Sequence, residues 1–101
     1  MMPKRTDSNH AEIRQAFRDR GFSWLDTFEL GHGFPDGVIG KGGLTCLIEV
    51  KDGAKPPSRR QLTYEEHTLH AEFQGWIEIV YSVADVEAIE RRFNAYEELI
   101  A

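Results

Sequence analysis

Residues 44–51 read LTCLIEVK, an almost unbroken apolar run that ends in a carboxylate and an amine. A short run of this kind is typical of a buried β-strand. Side chains alternate across a strand, so Glu49 and Lys51 are predicted to share one face, opposite the face of Val50. Two charged groups at the end of a buried strand are costly unless they have partners or a chemical task.

Further strands are predicted on both sides of this run. They are the aromatic-rich residues 23–30, the short glycine-flanked residues 36–40, and residues 76–81, which read WIEIVY. Residues 40–43 read GKGG, a pattern typical of a hairpin turn that joins residues 36–40 to residues 44–51.

Three segments begin with a residue that favours a helix N-cap. Apolar residues three and four positions apart follow in the first and the last of them, namely Ile13, Ala16 and Phe17, and Val86, Ile89, Phe93, Tyr96 and Ile100. The apolar stripe of the last segment predicts that one face of its helix packs on a core. The expected helices begin after Asn9, Thr63 and Ser82, and the first two end near Gly21 and Phe73.

The predicted order of elements is α-β-β-β-α-β-α. The connection from the third strand through the second helix to the fourth strand predicts a right-handed crossover between parallel strands. We therefore expect an α/β fold with a mixed four-stranded sheet flanked by helices and an extra C-terminal helix. Residues 1–101 are expected to form a single domain, with residues 1–7 flexible.

Composition favours a cytoplasmic protein with no membrane association. The chain has one cysteine, no long apolar run and no apolar segment near its N-terminus. Its net charge of −5 gives no overall sign of nucleic-acid binding. Residues 51–60, however, carry four lysines and arginines against one aspartate, which is either a phosphate-binding patch or an ordinary solvated face.

Asp36 begins the hairpin strand that precedes Glu49, and we expect the two carboxylates to lie close together. Such carboxylates repel, and a divalent cation relieves the repulsion. Mg²⁺ favours one or two carboxylates completed by water and phosphate. A site of this kind is suited to phosphodiester hydrolysis, in which Lys51 would stabilise the developing negative charge or position the attacking water. The alternative is a structural ion pair between Lys51 and its neighbours.

Gly33-Phe34-Pro35-Asp36, followed by Glu49-Val50-Lys51, resembles the PD-(D/E)xK nuclease superfamily. Within it, residues 9–81 look most like phage members of the virus-type replication-repair nucleases (VRR-NUC) and the related Holliday-junction resolvases. The resemblance implies a restriction-endonuclease-like α-β-β-β-α-β core.

The resemblance also implies roles for particular residues. Asp36, Glu49 and the Val50 carbonyl would ligate Mg²⁺, with Mn²⁺ as a substitute, and Lys51 would be catalytic. Glu12 would be a further ligand, or would only close a capping box with Asn9.

Other residues are expected to assist catalysis or to bind DNA. Gln61 and Glu66 are candidate accessory residues, although Glu66 is also placed to close a capping box with Thr63. The candidate DNA-binding residues are Lys55, Arg59, Arg60 and His32.

The resulting hypothesis is a Mg²⁺-dependent endodeoxyribonuclease acting on DNA, including branched, junction or flap DNA. Cutting both strands requires two active sites, so a homodimer is expected. No small-molecule cofactor beyond the metal is expected. Two alternatives stand beside it: a catalytically inactive DNA-binding or assembly module of the same fold, and a structural α/β protein whose Glu49 and Lys51 form a salt bridge.

Overall fold

A computed structural model describes residues 6–101, which form an α/β fold. The expected flexibility of residues 1–7 concerns mostly residues 1–5, which lie outside this range. The main elements are α1 (His10–Asp19), β1 (Ser23–Asp26), β2 (Gly37–Lys41), β3 (Leu44–Val50), α2 (Tyr64–Glu72), β4 (Ile77–Val80) and α3 (Val83–Ile100).

The four strands form one mixed sheet in the order β1-β2-β3-β4. Strand β2 is antiparallel to both of its neighbours, β1 and β3, and β4 runs parallel to β3. Helix α2 connects these two parallel strands. The predicted mixed four-stranded sheet flanked by helices is therefore confirmed, as is the parallel pairing of the last two strands.

Strands β2 and β3 are joined by a turn of two glycines. Lys41 pairs with Leu44, and the intervening Gly42 and Gly43 have φ angles of 60° and 82°. Two central residues with positive φ define a type I′ turn, whose twist matches that of a hairpin. The glycines thus fix the register that places Glu49 at the end of β3.

The first strand is shorter than predicted. Residues 23–30 were expected to be extended, but β1 ends at Asp26 and a 3₁₀ turn follows over Phe28–Leu30. The partner strand β2 begins at Gly37, opposite Asp26, and the last backbone bond of this pair runs from the Thr27 N–H to the Asp36 carbonyl at 2.9 Å. The Thr27 hydroxyl donates to the Pro35 carbonyl at 2.8 Å.

The core lies between one face of the sheet and helices α1 and α3. Ile48 and Val50 of β3 belong to it, and Phe93 of α3 packs against Phe22 and Trp76 with ring centroids 4.8 and 4.4 Å apart. The buried hydrophobic helix residues are Ile13, Ala16, Phe17, Val86, Ile89 and Phe93. The predicted apolar stripe of α1 is confirmed as core, and that of α3 is confirmed as far as Phe93. Tyr96 and Ile100, further along the α3 stripe, are exposed. Glu49 and Lys51 lie on the opposite face, towards α2.

The capping prediction was right for α2 and wrong for α1 and α3, since the Ser82 side chain makes no capping hydrogen bond at the start of α3. Thr63 and Glu66 form a complete capping box. Asn9 precedes α1, but its side chain does not cap the helix. Its Nδ2 donates instead to the carbonyls of Lys51 and Tyr81 at 3.2 and 3.1 Å. Carbonyls just beyond the ends of β3 and β4 therefore engage the side chain that was expected to cap α1.

None of the helices within residues 6–101 combines the length and the apolar character needed to cross a bilayer.

Candidate active site at the end of strand β3

Glu49 and Lys51 lie at the end of β3 and are both buried. Glu49 is 0% exposed and Lys51 is 9% exposed. The Lys51 Nζ lies 3.7 Å from Glu49 Oε1, as expected for residues on the same face of a strand. The Lys51 backbone N–H donates to the Val80 carbonyl at 2.9 Å, so β4 holds this residue in place.

Glu66, from the first turn of α2, completes the cluster. Its Oε1 accepts a hydrogen bond from Lys51 Nζ at 2.7 Å and another from the Thr63 N–H at 2.8 Å. The side chain is 3% exposed. The capping box predicted for Glu66 is therefore confirmed, and the same carboxylate oxygen also binds the candidate catalytic lysine.

The surroundings favour the charged forms of both partners. Burial opposes the charge on Lys51, but the hydrogen bond and negative charge of Glu66, with the charge of Glu49, raise the pKa of the ammonium above its usual range. Burial also opposes ionisation of Glu66, yet hydrogen bonding with the Glu49 carboxyl group, the Lys51 ammonium and the Thr63 N–H holds its pKa well below the usual range. Lys51 is thus a protonated group near neutral pH and is unsuited to act as a general base.

Asp36 is held beside Glu49 by two backbone contacts with β3. It is 3% exposed. Its N–H donates to the Ile48 carbonyl at 2.9 Å, and its Oδ2 accepts the Val50 N–H at 2.7 Å. Asp36 therefore bonds to the residues on either side of Glu49. These two bonds place the backbone of Asp36 next to that of Glu49 at the end of the hairpin.

The glycine before Pro35-Asp36 allows its loop to touch α2. Gly33 has a φ of +79°, and a Cβ at this position would come within 2.5 Å of the Glu65 backbone. Only glycine permits both the conformation and this approach. The loop thereby supports the helical turn that carries Glu66.

Asp36, Glu49 and the Val50 main chain provide the kind of ligands that Mg²⁺ prefers, since carboxylate and carbonyl oxygens are hard donors. Glu12 does not join them: it is exposed and lines a cavity beside Asp52 and Asp85. Within residues 6–101, no three His, Cys, Asp or Glu side chains are grouped to hold a metal ion. The four-ligand set is therefore not assembled. The two carboxylates that remain fit Mg²⁺, which is usually bound through one or two carboxylates with waters completing its shell.

The candidate DNA-binding residues are spread around this end of the sheet. Lys55 contacts Asp7 at 3.2 Å, and Arg60 Nη1 donates to the Gly53 carbonyl at 3.1 Å. Arg59 and His32 are exposed. His32 lines a cavity formed with Tyr64, Glu65 and other residues of α2.

Gln61, the other candidate accessory residue, is exposed and lines a groove with Arg60 and His67. Of the two accessory candidates, Glu66 is the one that contacts Lys51.

The role of Asn9 was not predicted from the sequence. Its side-chain amide, next to the start of α1, donates hydrogen bonds to the carbonyls of Lys51 and Tyr81, the residues that follow β3 and β4. An Asn before a helix is read as a cap. No local signal in the sequence distinguishes a capping Asn from one whose side chain bonds to two carbonyls far away in the sequence.

No protein-family model, curated protein or solved structure matches the chain. Function is therefore inferred from the geometry of the cluster and from the motif resemblance.

Proposed function

We propose that the chain is a metal-dependent endonuclease that hydrolyses phosphodiester bonds of DNA on a restriction-endonuclease-like core. One observation carries the proposal: the buried Lys51 is paired with the buried Glu49 and Glu66, and the buried Asp36 is bonded to the backbone of Val50 between Glu49 and Lys51. Removing each charge from water costs several kcal/mol, on the order of the stability of a small domain. A site that needs these charges for chemistry explains why they are kept together.

The charge balance of the cluster favours a cation. It contains three carboxyl groups and one ammonium, so its ionised form carries excess negative charge. We propose that Asp36, Glu49 and the Val50 carbonyl hold Mg²⁺, or Mn²⁺ in its place. When bound, such an ion supplies Lewis-acid polarisation of a phosphoryl oxygen and a bound water of lowered pKa.

The side chains of the chain itself would orient the substrate and stabilise charge. Lys51 would donate a hydrogen bond to a phosphate oxygen as negative charge develops there. Its raised pKa keeps this donor charged. Glu66 would act as a positioning residue, because its 2.7 Å bond fixes the ammonium. The bond from the Val50 N–H would orient the Asp36 carboxylate in the same way.

We further propose that the protein acts on DNA in the cytoplasm as a homodimer. Residues 55–60 would contact the phosphate backbone of DNA, including branched, junction or flap DNA, in the cytoplasm. Cutting both strands would take two copies. The exposed apolar residues at the end of α3 offer a surface for a homodimer: Tyr96, Leu99 and Ile100.

Cleavage of supercoiled plasmid and of branched DNA, with Mg²⁺ or Mn²⁺, tests the enzyme. We expect metal-dependent nicking that Asp36→Asn abolishes, since the amide oxygen still accepts the Val50 N–H but the charge is lost. Asp19→Asn on the exposed surface of α1 is the matched control and should cleave normally. Melting with Mn²⁺ adds a second measurement: an ion at a hundred times its dissociation constant stabilises a protein by about 2.7 kcal/mol.

A catalytically inactive DNA-binding module is the second candidate. One observation favours it: Glu66 binds both Lys51 and the start of α2, so the lysine already has a structural partner. DNA binding that never leads to cleavage under any divalent ion would support this module. A chain that Mn²⁺ does not stabilise and that neither binds nor cuts DNA would contradict both functions and leave a structural ion pair.

A further inference from the structure

An open groove of about 540 Å³ lies next to the candidate active site, between α2 and the segment that follows β3. Arg60, Leu62 and His67 line it, together with Ile79 of β4. Ile79 is the register partner of Glu49 in the parallel β3–β4 pair. Register partners lie side by side, roughly 4.8 Å apart, on the same face of a sheet. The groove is therefore continuous with the face that carries Glu49 and Lys51.

The charge of this groove sets it apart from neighbouring cavities. In the part of the chain that the structure describes, the groove is lined by arginine and histidine and by no Asp or Glu. Because the chain as a whole carries a net charge of −5, an anion is favoured here more than on most of the surface. Three other cavities contain carboxylates, namely Glu12, Asp52 and Asp85; Glu65 and Glu72; and Glu97 and Glu98.

Arg60 is held in an orientation suited to phosphate. Its guanidinium carbon lies 5.8 Å from the centroid of the Tyr81 ring, and its Nη1 donates to the Gly53 carbonyl. A guanidinium has five N–H donors in a planar fork that matches phosphate oxygens, and Gly53 takes one of them. The fixed side chain therefore loses little conformational freedom when it binds an anion.

The rest of the groove suits a nucleobase. Leu62 and Ile79 are apolar, and the Arg60 guanidinium and the Tyr81 ring over which it lies add two planar groups. Unpaired bases stack on aromatic rings and on guanidinium planes. Gln61 adds an amide that can both donate to and accept from the edge of a base. Anion-binding and base-binding groups thus occur in one groove.

We propose that this groove binds an unpaired nucleotide of a DNA strand, with its phosphate on Arg60 and its base against Leu62 and Ile79. The inference rests on the proposed function, because the strand would continue from this groove to the cluster of Glu49 and Lys51.

Fluorescence anisotropy with a labelled thymidine oligonucleotide of about ten nucleotides tests the proposal. The full chain is titrated in EDTA, so that binding is measured without cleavage. Arg60→Ala should weaken binding about tenfold, as for loss of a charged hydrogen bond. It should also reduce the slope of log affinity against log salt by about 0.7, the value for one phosphate contact on a single strand.

Arg91→Ala is the matched control, because it removes the same charge from an exposed position on α3. It should change neither the affinity nor the slope. Equal effects of Arg60→Ala and Arg91→Ala would overturn the proposal. If Arg60→Ala does not fold, Gln61→Ala and His67→Ala replace it, since both residues are exposed and line the groove. Weaker binding by either supports the groove, and unchanged binding by both refutes it.

An abasic oligonucleotide and inorganic phosphate separate base binding from simple phosphate binding. An abasic strand that binds as tightly as the thymidine strand, or phosphate that competes equally well, would reject the nucleotide assignment. The binding assay is independent of catalysis. Arg60-dependent binding by a chain that never cuts DNA would reject the enzyme and support the groove. Metal-dependent cutting with no role for Arg60 in binding would do the reverse.

Discussion

Removal of the Glu66 carboxylate should destabilise the protein strongly, because it leaves a buried ammonium without its nearest partner. The Lys51 and Glu66 side chains are 11% and 3% exposed, so solvent screens them weakly. At their separation of 2.7 Å, the attraction in a medium of effective dielectric constant near 20 is about 6 kcal/mol. Removal of one partner of a buried ion pair typically lowers the free energy of unfolding by about 3–5 kcal/mol, and loss of a helix cap lowers it by about 1 kcal/mol. We therefore expect Glu66→Ala to lower the free energy of unfolding by about 4 kcal/mol.

Urea denaturation in metal-free buffer measures this loss. Glu65→Ala is the control, since Glu65 lies in the same helical turn but is exposed, and it should change stability by less than about 0.5 kcal/mol. Glu66→Gln keeps acceptors for Lys51 and Thr63 and should lose less than Glu66→Ala. The double variant Lys51→Met with Glu66→Ala should recover part of the loss, because no unpaired ammonium is left.

A Glu66→Ala protein as stable as the Glu65→Ala protein would refute the reasoning. So would a double variant less stable than Glu66→Ala alone, because the cost would then lie in the helix cap and the lost packing rather than in the stranded charge.

Three further results are expected. Gly33→Ala should lower the free energy of unfolding by more than about 3 kcal/mol, because Gly33 has a positive φ and an added Cβ would clash with α2. Gly43 also has a positive φ but has open space around it, so Gly43→Ala should lower the free energy of unfolding by about 1–2 kcal/mol in the same denaturation assay. Burial opposes ionisation of Asp26, but the bond from Trp24 and neighbouring positive charge lower its pKa below 3.8. The Asp26 carboxylate then binds a proton more weakly in the folded state than in the unfolded chain. Its contribution to folding stability is therefore fully present above the usual pKa of an aspartate, and it is lost as the pH falls through the lowered pKa. Asp26→Asn should therefore destabilise near pH 7 and make little difference near pH 2, as measured by melting. Burial raises the pKa of the Cys46 thiol, so a thiol reagent should modify the unfolded chain and not the native one.

The central hairpin could be predicted from sequence because its signals are local. Two glycines between an extended run and an apolar run define both the turn and the register. The alternation along residues 44–51 then places Glu49 and Lys51 on one face, as the 3.7 Å separation bears out. The stripe of α3 was equally readable, since its buried residues recur at helical spacing.

The errors arose where a distant partner competes with a local preference. Residues 27–30 have the composition of a strand, yet the length of β1 is set by where β2 begins. Asn9 has the preference of a helix cap, yet the carbonyls of Lys51 and Tyr81 engage its amide. The motif positions also placed Glu12 among the metal ligands, although its side of α1 faces a separate cavity.

Glu66 shows why a structural and a functional interpretation of one residue need not compete. The capping box holds the Glu66 carboxylate at the start of α2. The carboxylate oxygen that accepts the Thr63 N–H also accepts a hydrogen bond from Lys51 and so fixes the position of the ammonium. An ammonium has three N–H donors, so Lys51 can donate to a phosphate oxygen while its bond to Glu66 stays intact. The contact of Gly33 with the Glu65 backbone extends the same arrangement to the loop that carries Asp36. The start of α2 therefore holds both the acidic and the basic parts of the candidate site, and a change that shifts this helical turn should disturb catalysis without touching substrate.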